Sequence, residues 1–218
     1  MLIEAIDVCK DYRDETVLRN VSFTVAAGQS LAITGASGSG KSTLLSMLGL
    51  LLQPSAGEVR FRGRSVSDIS DNERSRLRNS SFGFIFQNPQ LIGSLSVLDN
   101  VLVPARLARR KGVEAEARKI LDSLGLGQRL KHLPHQLSIG QKRRVAVARA
   151  LLLGPEVVFA DEPTNDLDAG LAGRIADYLL ELPRSGVALV YVTHDRSFSQ
   201  RADRSVTIAD GLLHHDQQ

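Results

Sequence analysis

A glycine-rich stretch at residues 35–42, GASGSGKS, has the residue types and spacing of a phosphate-binding loop. It follows an apolar run at 30–34 that predicts a buried strand, and it opens a helix predicted from about Lys41 to Leu52. A strand before and a helix after are the context that this motif requires. A flexible glycine-serine loop is the alternative, and the flanking elements disfavour it.

This loop can bind phosphate through its backbone and through its side chains. The glycines let the backbone wrap closely, so that N–H groups face phosphate oxygens, and the helix start adds its dipole. Lys41 is expected to reach the β- and γ-phosphates, and the Ser42 hydroxyl is expected to bind Mg²⁺. The nucleotide-binding residues predicted in the loop are Gly35, Ser37, Gly38, Ser39, Gly40, Lys41, Ser42 and Thr43.

Two adjacent carboxylates end a second apolar run, VVFADE at 157–162. A buried strand should not end in two acids unless something nearby offsets their charge. Asp161 is placed to help hold Mg²⁺, and Glu162 to polarise an attacking water. A strand end that simply reaches solvent is the alternative. Glu162 favours hydrolysis over transfer of the phosphate to a bound acceptor, as in a small-molecule kinase.

Strands alternate with helices along the rest of the chain, which favours an α/β core with a mostly parallel sheet. The segment from about 90 to 140 is expected to be a helical insert. Further strands are predicted at 21–25, 57–63, 82–87, 187–194 and 205–211. Further helices are predicted from 70 or 71 to 78, from 142 onward, and from about 168 to 182.

Composition narrows the class of protein. The 218 residues include 43% hydrophobic and 23% charged residues, the balance of an ordinary soluble domain. The net charge of +3 fits nucleotide or an acidic membrane surface but demands neither. A single cysteine cannot form an internal disulfide and gives no support to a zinc site. The longest apolar stretch, at 44–52, is about half of what a bilayer requires, so no membrane span is expected.

A third motif, LSIGQ at 137–141, places a serine and a glycine where a helix is about to begin. With it, the chain resembles an ABC-transporter ATPase subunit over essentially its whole length. The resemblance implies one ATPase domain over 1–218, with a P-loop α/β core, a mostly parallel sheet, an antiparallel β subdomain and a helical subdomain at roughly 90–150. The matching stretches, in family order, are Tyr12 in KDYRDETVLRNVSF, the phosphate loop at 35–42, Gln87 in FIFQNPQLIGSLSVLDNV, LSIGQ at 137–141, VVFADEP at 157–163, NDLD at 165–168 and His194 in YVTHD.

The resemblance also implies that ATP bridges two copies of the chain. In this family the phosphate loop of one subunit faces the serine-glycine helix start of another. Ser138, Gly140 and Gln141 are therefore expected to contact the nucleotide held by the partner, as a helix N-terminus binds an anion. Ser138 could instead cap its own helix, and it can also do both.

Other site residues follow from the resemblance one by one. Tyr12 is expected to stack on adenine, and Asp168 to lie at the subunit interface. Gln87 is expected to approach Mg²⁺ and the attacking water while linking the site to a membrane partner. His194 is expected to contact the γ-phosphate and align Glu162. The catalytic residues implied are Glu162, His194, Gln87 and Lys41, and the metal ligands are Ser42, Gln87 and Asp161.

Three positions depart from the family's usual pattern. Glycine is usual where Ile139 stands, and a β-branched side chain restricts the backbone there. Asn165 and Asp166 replace a small residue followed by Asn or Ala, which adds a carboxylate near the subunit interface. Closure and coupling could therefore differ, but no chemical group that the reaction needs is lost.

Within the superfamily the chain most resembles the branch that serves macrolide, lipoprotein-release and haem exporters, on the stretches 47–59 and 82–101. That implies a homodimer using ATP and Mg²⁺, which drives a permease from the cytoplasmic face of the cell membrane. The cargo would be of the drug, peptide, haem or lipoprotein class. The basic clusters at 106–111 and 142–144 are expected to be solvated helix faces, so no nucleic acid is expected as a partner. A non-transport ABC ATPase that acts on DNA or the ribosome is the alternative.

Overall fold

The computed structural model describes residues 1–13 and 15–215. The strands in these ranges are β1 (Ile3–Tyr12), β2 (Glu15–Val25), β3 (Ser30–Gly35), β4 (Ala56–Phe61), β5 (Arg64–Ser65), β6 (Phe82–Ile85), β7 (Val157–Asp161), β8 (Ala188–Val192), β9 (Arg204–Ala209) and β10 (Leu212–His215). The α-helices in the same ranges are α1 (Lys41–Leu48), α2 (Asp71–Ser81), α3 (Val97–Leu107), α4 (Glu114–Ser123), α5 (Ile139–Leu151), α6 (Ala169–Leu180) and α7 (Arg196–Ser199).

The strands form two sheets. A four-stranded antiparallel sheet has the order β2-β1-β4-β5, and a six-stranded sheet has the order β10-β9-β3-β8-β7-β6. In the larger sheet the pairs from β9 to β6 are parallel, and β10 runs antiparallel to β9. The strand that precedes the phosphate loop, β3, therefore lies between β9 and β8. Both the mostly parallel core sheet and the antiparallel subdomain are confirmed.

Alternate residues of the central strands face two different hydrophobic clusters. Along β8, Ala188, Val190 and Val192 belong to a cluster with the antiparallel sheet and α1, whereas Leu189 and Tyr191 belong to one with α3 to α6. The parallel sheet is thus covered on both faces. This is why its strands are near-continuous apolar runs rather than alternating ones.

Aromatic rings join the two sheets. Phe82 of β6 lies edge-on to Phe61 of β4, with ring centroids 5.0 Å apart, and to Phe159 of β7, at 5.3 Å. Edge-to-face pairs at these separations are favourable beyond the area they bury. The antiparallel subdomain is therefore fixed to the core by direct packing.

The helix after the phosphate loop ends four residues earlier than the predicted Leu52. Helix α1 ends at Leu48, and Leu50 takes a left-handed conformation with φ +57°. The amide of Leu51 donates to the Ser46 carbonyl at 2.8 Å, and that of Leu50 to the Met47 carbonyl at 3.0 Å. These two bonds form a Schellman motif, which stops a helix without proline.

The predicted final strand at 205–211 is also corrected. Strand β9 ends at Ala209, and the chain turns at Asp210 and Gly211, both with positive φ, into β10. An Asp-Gly pair with positive φ at both positions is typical of a two-residue hairpin turn.

The region predicted to be helical carries α3, α4 and α5, with short 3-10 turns at Gly127–Arg129 and Pro134–Gln136. Among the helices of the described ranges, none combines the length and the apolarity that crossing a bilayer would take.

Candidate functional site

The phosphate-binding loop lies between the central strand β3 and helix α1. Gly35, the last residue of β3, has φ +138°, and a Cβ there would stand 2.2 Å from the Ile208 carbonyl oxygen. Only glycine fits so close an approach of two backbones. Lys41 Nζ donates to the carbonyl oxygens of Gly35 at 3.0 Å and Ala36 at 2.7 Å. These bonds hold the ammonium group over the loop that is expected to receive phosphate.

The other loop residues differ in exposure. Ser37, Gly38 and Ser42 are exposed, and Thr43 is half-buried. The Ser39 hydroxyl is shielded from solvent and has no hydrogen-bond partner in the described ranges. A shielded hydroxyl without a partner is unusual in a folded protein and is free to accept or donate. The loop thus contains one hydroxyl that its own fold leaves unpaired.

The two predicted metal ligands on different elements meet in the structure. Ser42 Oγ, on α1, donates to Asp161 Oδ1, at the end of β7, at 3.1 Å. Burial raises the pKa of the Asp161 carboxyl above its usual range; the Ser42 hydrogen bond and the Lys41 ammonium oppose this, and the neighbouring Glu162 adds to it. A half-buried carboxylate whose charge is disfavoured would gain from a cation.

The donor set fits Mg²⁺ rather than a metal held by protein alone. In the described ranges no group of three or more His, Cys, Asp or Glu side chains could hold a metal ion. Mg²⁺ usually takes one or two protein oxygens and completes its shell with water and phosphate oxygens. The Ser42 hydroxyl and the Asp161 carboxylate supply oxygens of the required kind.

The predicted catalytic pair is also formed. Glu162 Oε2 lies 3.0 Å from His194 Nδ1, and the Glu162 side chain is 13% exposed against 65% for His194. Glu162 has a left-handed backbone with φ +45°, and its amide donates to the Val192 carbonyl at 3.0 Å. The ends of β7 and β8 therefore aim a shielded carboxylate at a histidine that faces solvent.

The LSIGQ segment forms a capping box at the start of α5. The Gln141 amide donates to Ser138 Oγ at 3.2 Å, and the Ser138 amide donates to Gln141 Oε1 at 2.9 Å. The predicted capping of its own helix is thus seen, and Ser138 is nevertheless exposed. Between these residues and the phosphate loop of the same chain, the described ranges contain no hydrogen bond.

The start of α5 packs against the start of α6. A Cβ on Gly140 would stand 2.0 Å from Leu171 Cδ2, so the glycine permits close contact between the two helices. Asp168 caps α6, with Oδ1 accepting from the Leu171 amide at 2.9 Å. The two segments expected at the subunit interface are therefore neighbours within one chain.

Two predicted residues stand apart from this cluster. The Gln87 side chain is exposed and has no hydrogen-bond partner in the described ranges, although its carbonyl accepts from Arg143. Tyr12 is 47% exposed. Lys10 Nζ lies 5.0 Å from its ring centroid, a distance typical of a cation–π contact. The roles expected of Gln87 and Tyr12 remain predictions.

One basic residue was wrongly expected to be solvated. Arg143, in the cluster at 142–144, is only 2% exposed. The burial of Arg143 could have been predicted from its position on the helix. It shares a face with Gly140, three residues before it, and with Val147, four residues after it. Both of these neighbours are buried.

Comparison with known proteins identifies the family. The model of the ABC transporter family matches residues 18–165. The chain belongs to this family. The ATP-hydrolysing activity that the resemblance implies is confirmed by this match.

Curated relatives of the chain are exporters. It is 42% identical over 221 residues to a macrolide export ATP-binding/permease protein of Marinobacter nauticus, covering 99% of this chain and 34% of the relative. It is 45% identical over 223 residues to a pyoverdine export ATP-binding/permease protein of Pseudomonas putida, with the same coverage of 99% and 34%. The chain thus spans about a third of the length of these relatives.

Solved structures agree over the whole length. A dimeric bacterial ABC transporter cassette superposes with a TM-score of 0.91 at 34% identity, covering 98% of each chain. A dimer of the same cassette in a post-hydrolysis state, bound to ADP and phosphate, gives 0.88 at 33% identity, again with 98% of each chain covered. At this identity and coverage the likeness extends to the whole ATPase fold.

Proposed function

We propose that residues 1–218 are one ATPase domain of a mechanotransmission-type exporter, in which two copies close around ATP and Mg²⁺ at the cytoplasmic face of the membrane and drive a permease. The permease portion is on the same or another polypeptide, as the ATP-binding/permease names of the relatives suggest. The cargo class, whether drug, peptide, haem or lipoprotein, depends on that portion.

The exposed start of α5 carries this proposal. Ser138 and the first amides of α5 lie at a helix N-terminus, which is suited to bind an anion, and within the described residues they make no hydrogen bond with the phosphate loop of their own chain. A second copy would supply the missing phosphates. Each copy would then complete the site of the other.

Within one site the residues divide the work of hydrolysis. Lys41 and the amides at 35–43 would bind and orient the phosphates. Ser42, Asp161 and Gln87 would hold Mg²⁺, and the ion would neutralise part of the phosphate charge. Glu162 would accept a hydrogen bond from the attacking water and draw its proton away. His194, already beside Glu162, would orient that carboxylate.

Residues at the edge of the site would bind the base and couple the copies. Tyr12 is exposed enough to stack on adenine, and Lys10 beside its ring would favour an electron-rich base. Asp168, exposed at the N-cap of α6 beside the Ser138 segment, would lie at the interface between copies.

A groove supports the permease contact. It has a volume of about 1220 Å³ and lies between α2, β6 and α3, next to the Gln87 loop. Its walls include Leu51, Phe86 and Leu107, which are 46%, 37% and 75% exposed. Large apolar side chains gathered at one exposed groove are typical of a protein-binding surface.

The dimer is tested with a variant that binds ATP but does not turn it over. Glu162→Gln with ATP and Mg²⁺ should give a light-scattering mass near twice 23.7 kDa, whereas ADP should not. The double variant Lys41→Ala/Glu162→Gln, which lacks the phosphate-binding ammonium, is the control and should stay monomeric. A Glu162→Gln sample that stays monomeric with ATP at high protein concentration would contradict the proposal that ATP joins two copies of the chain.

The partner is tested by co-purification from membranes. We expect the chain to be recovered with a permease that has few helices and a large extracytoplasmic domain. Recovery with ribosomes or DNA, and no membrane protein, would overturn the transport role while leaving the ATPase assignment intact.

A further inference from the structure

Arg143 is a buried cation that joins two loops of the site. From α5, its Nη1 donates to the carbonyl oxygen of Phe86 at 3.1 Å and also to that of Gln87, and its Nη2 donates to the Asn165 carbonyl at 3.0 Å. The first two carbonyls belong to the loop after β6, and the third to the loop between β7 and α6 that leads to Asp168. One side chain therefore spans both loops from the helix that begins after Ser138.

The charge of Arg143 is incompletely compensated. Within the described ranges no carboxylate forms an ion pair with it, and its Nε has no hydrogen-bond partner. Burial lowers the pKa of the guanidinium, and the Asp166 carboxylate, at longer range, opposes that shift. Burying a cation without a direct counterion is costly. The hydrogen bonds to three main-chain carbonyls are therefore its direct compensation, and these carbonyls lie in the two loops.

We propose that Arg143 is a positioning residue for ATP hydrolysis. It holds both the Gln87 loop and the Asn165–Asp168 loop at fixed positions against α5. This inference rests on the proposed roles of Gln87, Asp168 and Ser138. Because Arg143 is tied to main-chain carbonyls, it fixes where these loops run without contacting nucleotide. A shift of either loop would move Gln87 or Asp168 away from the position that each is proposed to take in the site.

Arginine is suited to this task by its shape. The planar guanidinium presents five N–H donors in fixed directions, so that its two terminal nitrogens can reach different loops at once. A glutamine has one NH₂ group and a shorter side chain. A lysine keeps the charge but concentrates its donors at one point, so it should preserve some of the bonds and not their geometry.

The first test compares kinetic constants in the full chain. Arg143→Gln should lower kcat by about 10- to 100-fold, the scale of a small misplacement of catalytic groups. The KM for ATP should change less than about twofold, because the phosphate loop is untouched. Arg143→Lys should recover part of the loss in kcat.

The matched control is Arg74→Gln. Arg74, on α2, has a side chain only 11% exposed and also donates to main-chain carbonyls, those of Ser67 and Ile69, in the segment between β5 and α2. It should lose stability without losing kcat. Equal kinetic losses in Arg74→Gln and Arg143→Gln would show that only general destabilisation is at work.

A spectroscopic test reports the loop itself. The chain has no tryptophan, so Phe86→Trp introduces a single probe at a residue whose carbonyl accepts from Arg143. In that background Arg143→Gln should shift emission to longer wavelength and increase quenching by acrylamide, whereas Arg74→Gln should not.

The Arg143 variants test the positioning role, and Glu162→Gln tests the proposed function on which that role depends. Wild-type kcat in Arg143→Gln, or an unshifted emission, overturns the positioning role provided that Glu162→Gln still abolishes turnover. Turnover that survives Glu162→Gln refutes the proposed function instead. If Arg143→Gln does not fold, Arg143→Lys is measured in the same way, and failure of both to fold would make the residue structural and the proposal wrong.

Discussion

Glu162 combines a rare backbone conformation with a shielded carboxylate. Its φ of +45° is uncommon for a residue with a side chain, and such conformations cost of order 1–3 kcal/mol. The surrounding strands maintain it, since the Glu162 amide bonds to Val192 and its carbonyl accepts from the Asn165 amide. In this conformation the carboxylate lies beside His194.

The first prediction concerns this carboxylate. Glu162→Gln should reduce ATP turnover by at least about a hundredfold, the scale expected for loss of a general base, because the amide cannot take up a proton. ATP binding, measured with a fluorescent nucleotide, should stay within a few-fold of wild type. Near-wild-type hydrolysis by a folded variant would refute the role of Glu162.

The second prediction concerns the raised pKa of Asp161. A folded-state pKa above the unfolded value means that the charged form is penalised by folding, fully at neutral pH and not at all well below the unfolded value of 3.8. Asp161→Asn without nucleotide should therefore raise Tm at pH 7, and the gain should shrink as the pH falls toward 4. The amide oxygen can still accept from Ser42.

The same variant should lose stimulation of hydrolysis by Mg²⁺. The two effects together would distinguish a metal ligand from a residue that merely supports the fold. A Tm that falls on substitution at pH 7, or a gain that grows in acid, would contradict the pKa argument.

Residues that act through local patterns could be predicted from sequence, and those that depend on distant neighbours could not. The phosphate loop is defined by eight consecutive residues, and Glu162 follows a strand whose apolar run is visible. Arg143 looks like its neighbours Lys142 and Arg144 in the sequence. Its burial depends on carbonyls 56 and 57 residues before it and 22 residues after it.

At the scale of elements, α2 and α5 begin in the same way. Ser70 and Ser138 each accept from the amide three residues on, and Glu73 and Gln141 bond back to the serine amides. Of these two capping boxes, only the one at Ser138 belongs to the proposed interface between two copies of the chain. The two serines therefore form a natural pair for separating capping from ATP binding.

The third prediction uses this pair. Ser138→Ala and Ser70→Ala should each cost about 1 kcal/mol, the usual loss for an N-cap. In the Glu162→Gln background, only the Ser138 substitution should weaken dimer formation with ATP, because it also removes a hydroxyl that would face the partner's phosphate in the proposed dimer. Thermal unfolding and light scattering measure the two effects. Equal dimerisation of both variants would argue that Ser138 caps its own helix and does nothing more.

Ile139 shows that a departure from the family pattern need not disturb an element. It is the first residue of α5, takes part in a normal helix start, and leaves its side chain 59% exposed. The sequence predicts this helix from Lys142 onward, and in the structure it begins earlier, at Ile139. An exposed isoleucine beside Ser138 would be covered in the proposed dimer.

The boundaries of elements were harder to predict than their existence. The sequence predicts an end for α1 near Leu52, whereas the Schellman bonds end the helix at Leu48, with Leu50 in a left-handed position that usually holds glycine. Leu50 is buried, so its packing in the core offsets the strain. Whether burial of Leu50 offsets its backbone strain depends on tertiary contacts, so it cannot be predicted from the neighbouring residues in the sequence.

At the scale of the whole molecule, the aromatic rings around Phe82 predict that both sheets unfold together. Phe82 is 7% exposed and contacts Phe61 in the antiparallel sheet and Phe84 and Phe159 in the larger sheet. The fourth prediction is that Phe82→Ala lowers stability by about 3–5 kcal/mol. The transition should remain single and should coincide by circular dichroism and tyrosine fluorescence. Two separate transitions in the wild-type chain would contradict the single-domain proposal.

The position of β3 between β9 and β8 has a consequence for how the protein is made. Both the amide and the hydroxyl of Ser30 donate to Asp203 Oδ2 at 2.7 Å, across 173 residues of chain. The neighbours of β3 (Ser30–Gly35), namely β8 (Ala188–Val192) and β9 (Arg204–Ala209), likewise come much later in the chain. At roughly 5–20 residues per second, the ribosome needs on the order of ten to thirty seconds to deliver them. During that interval the nascent polypeptide carries its phosphate loop on a strand without partners, so nucleotide can assist only the last steps of folding.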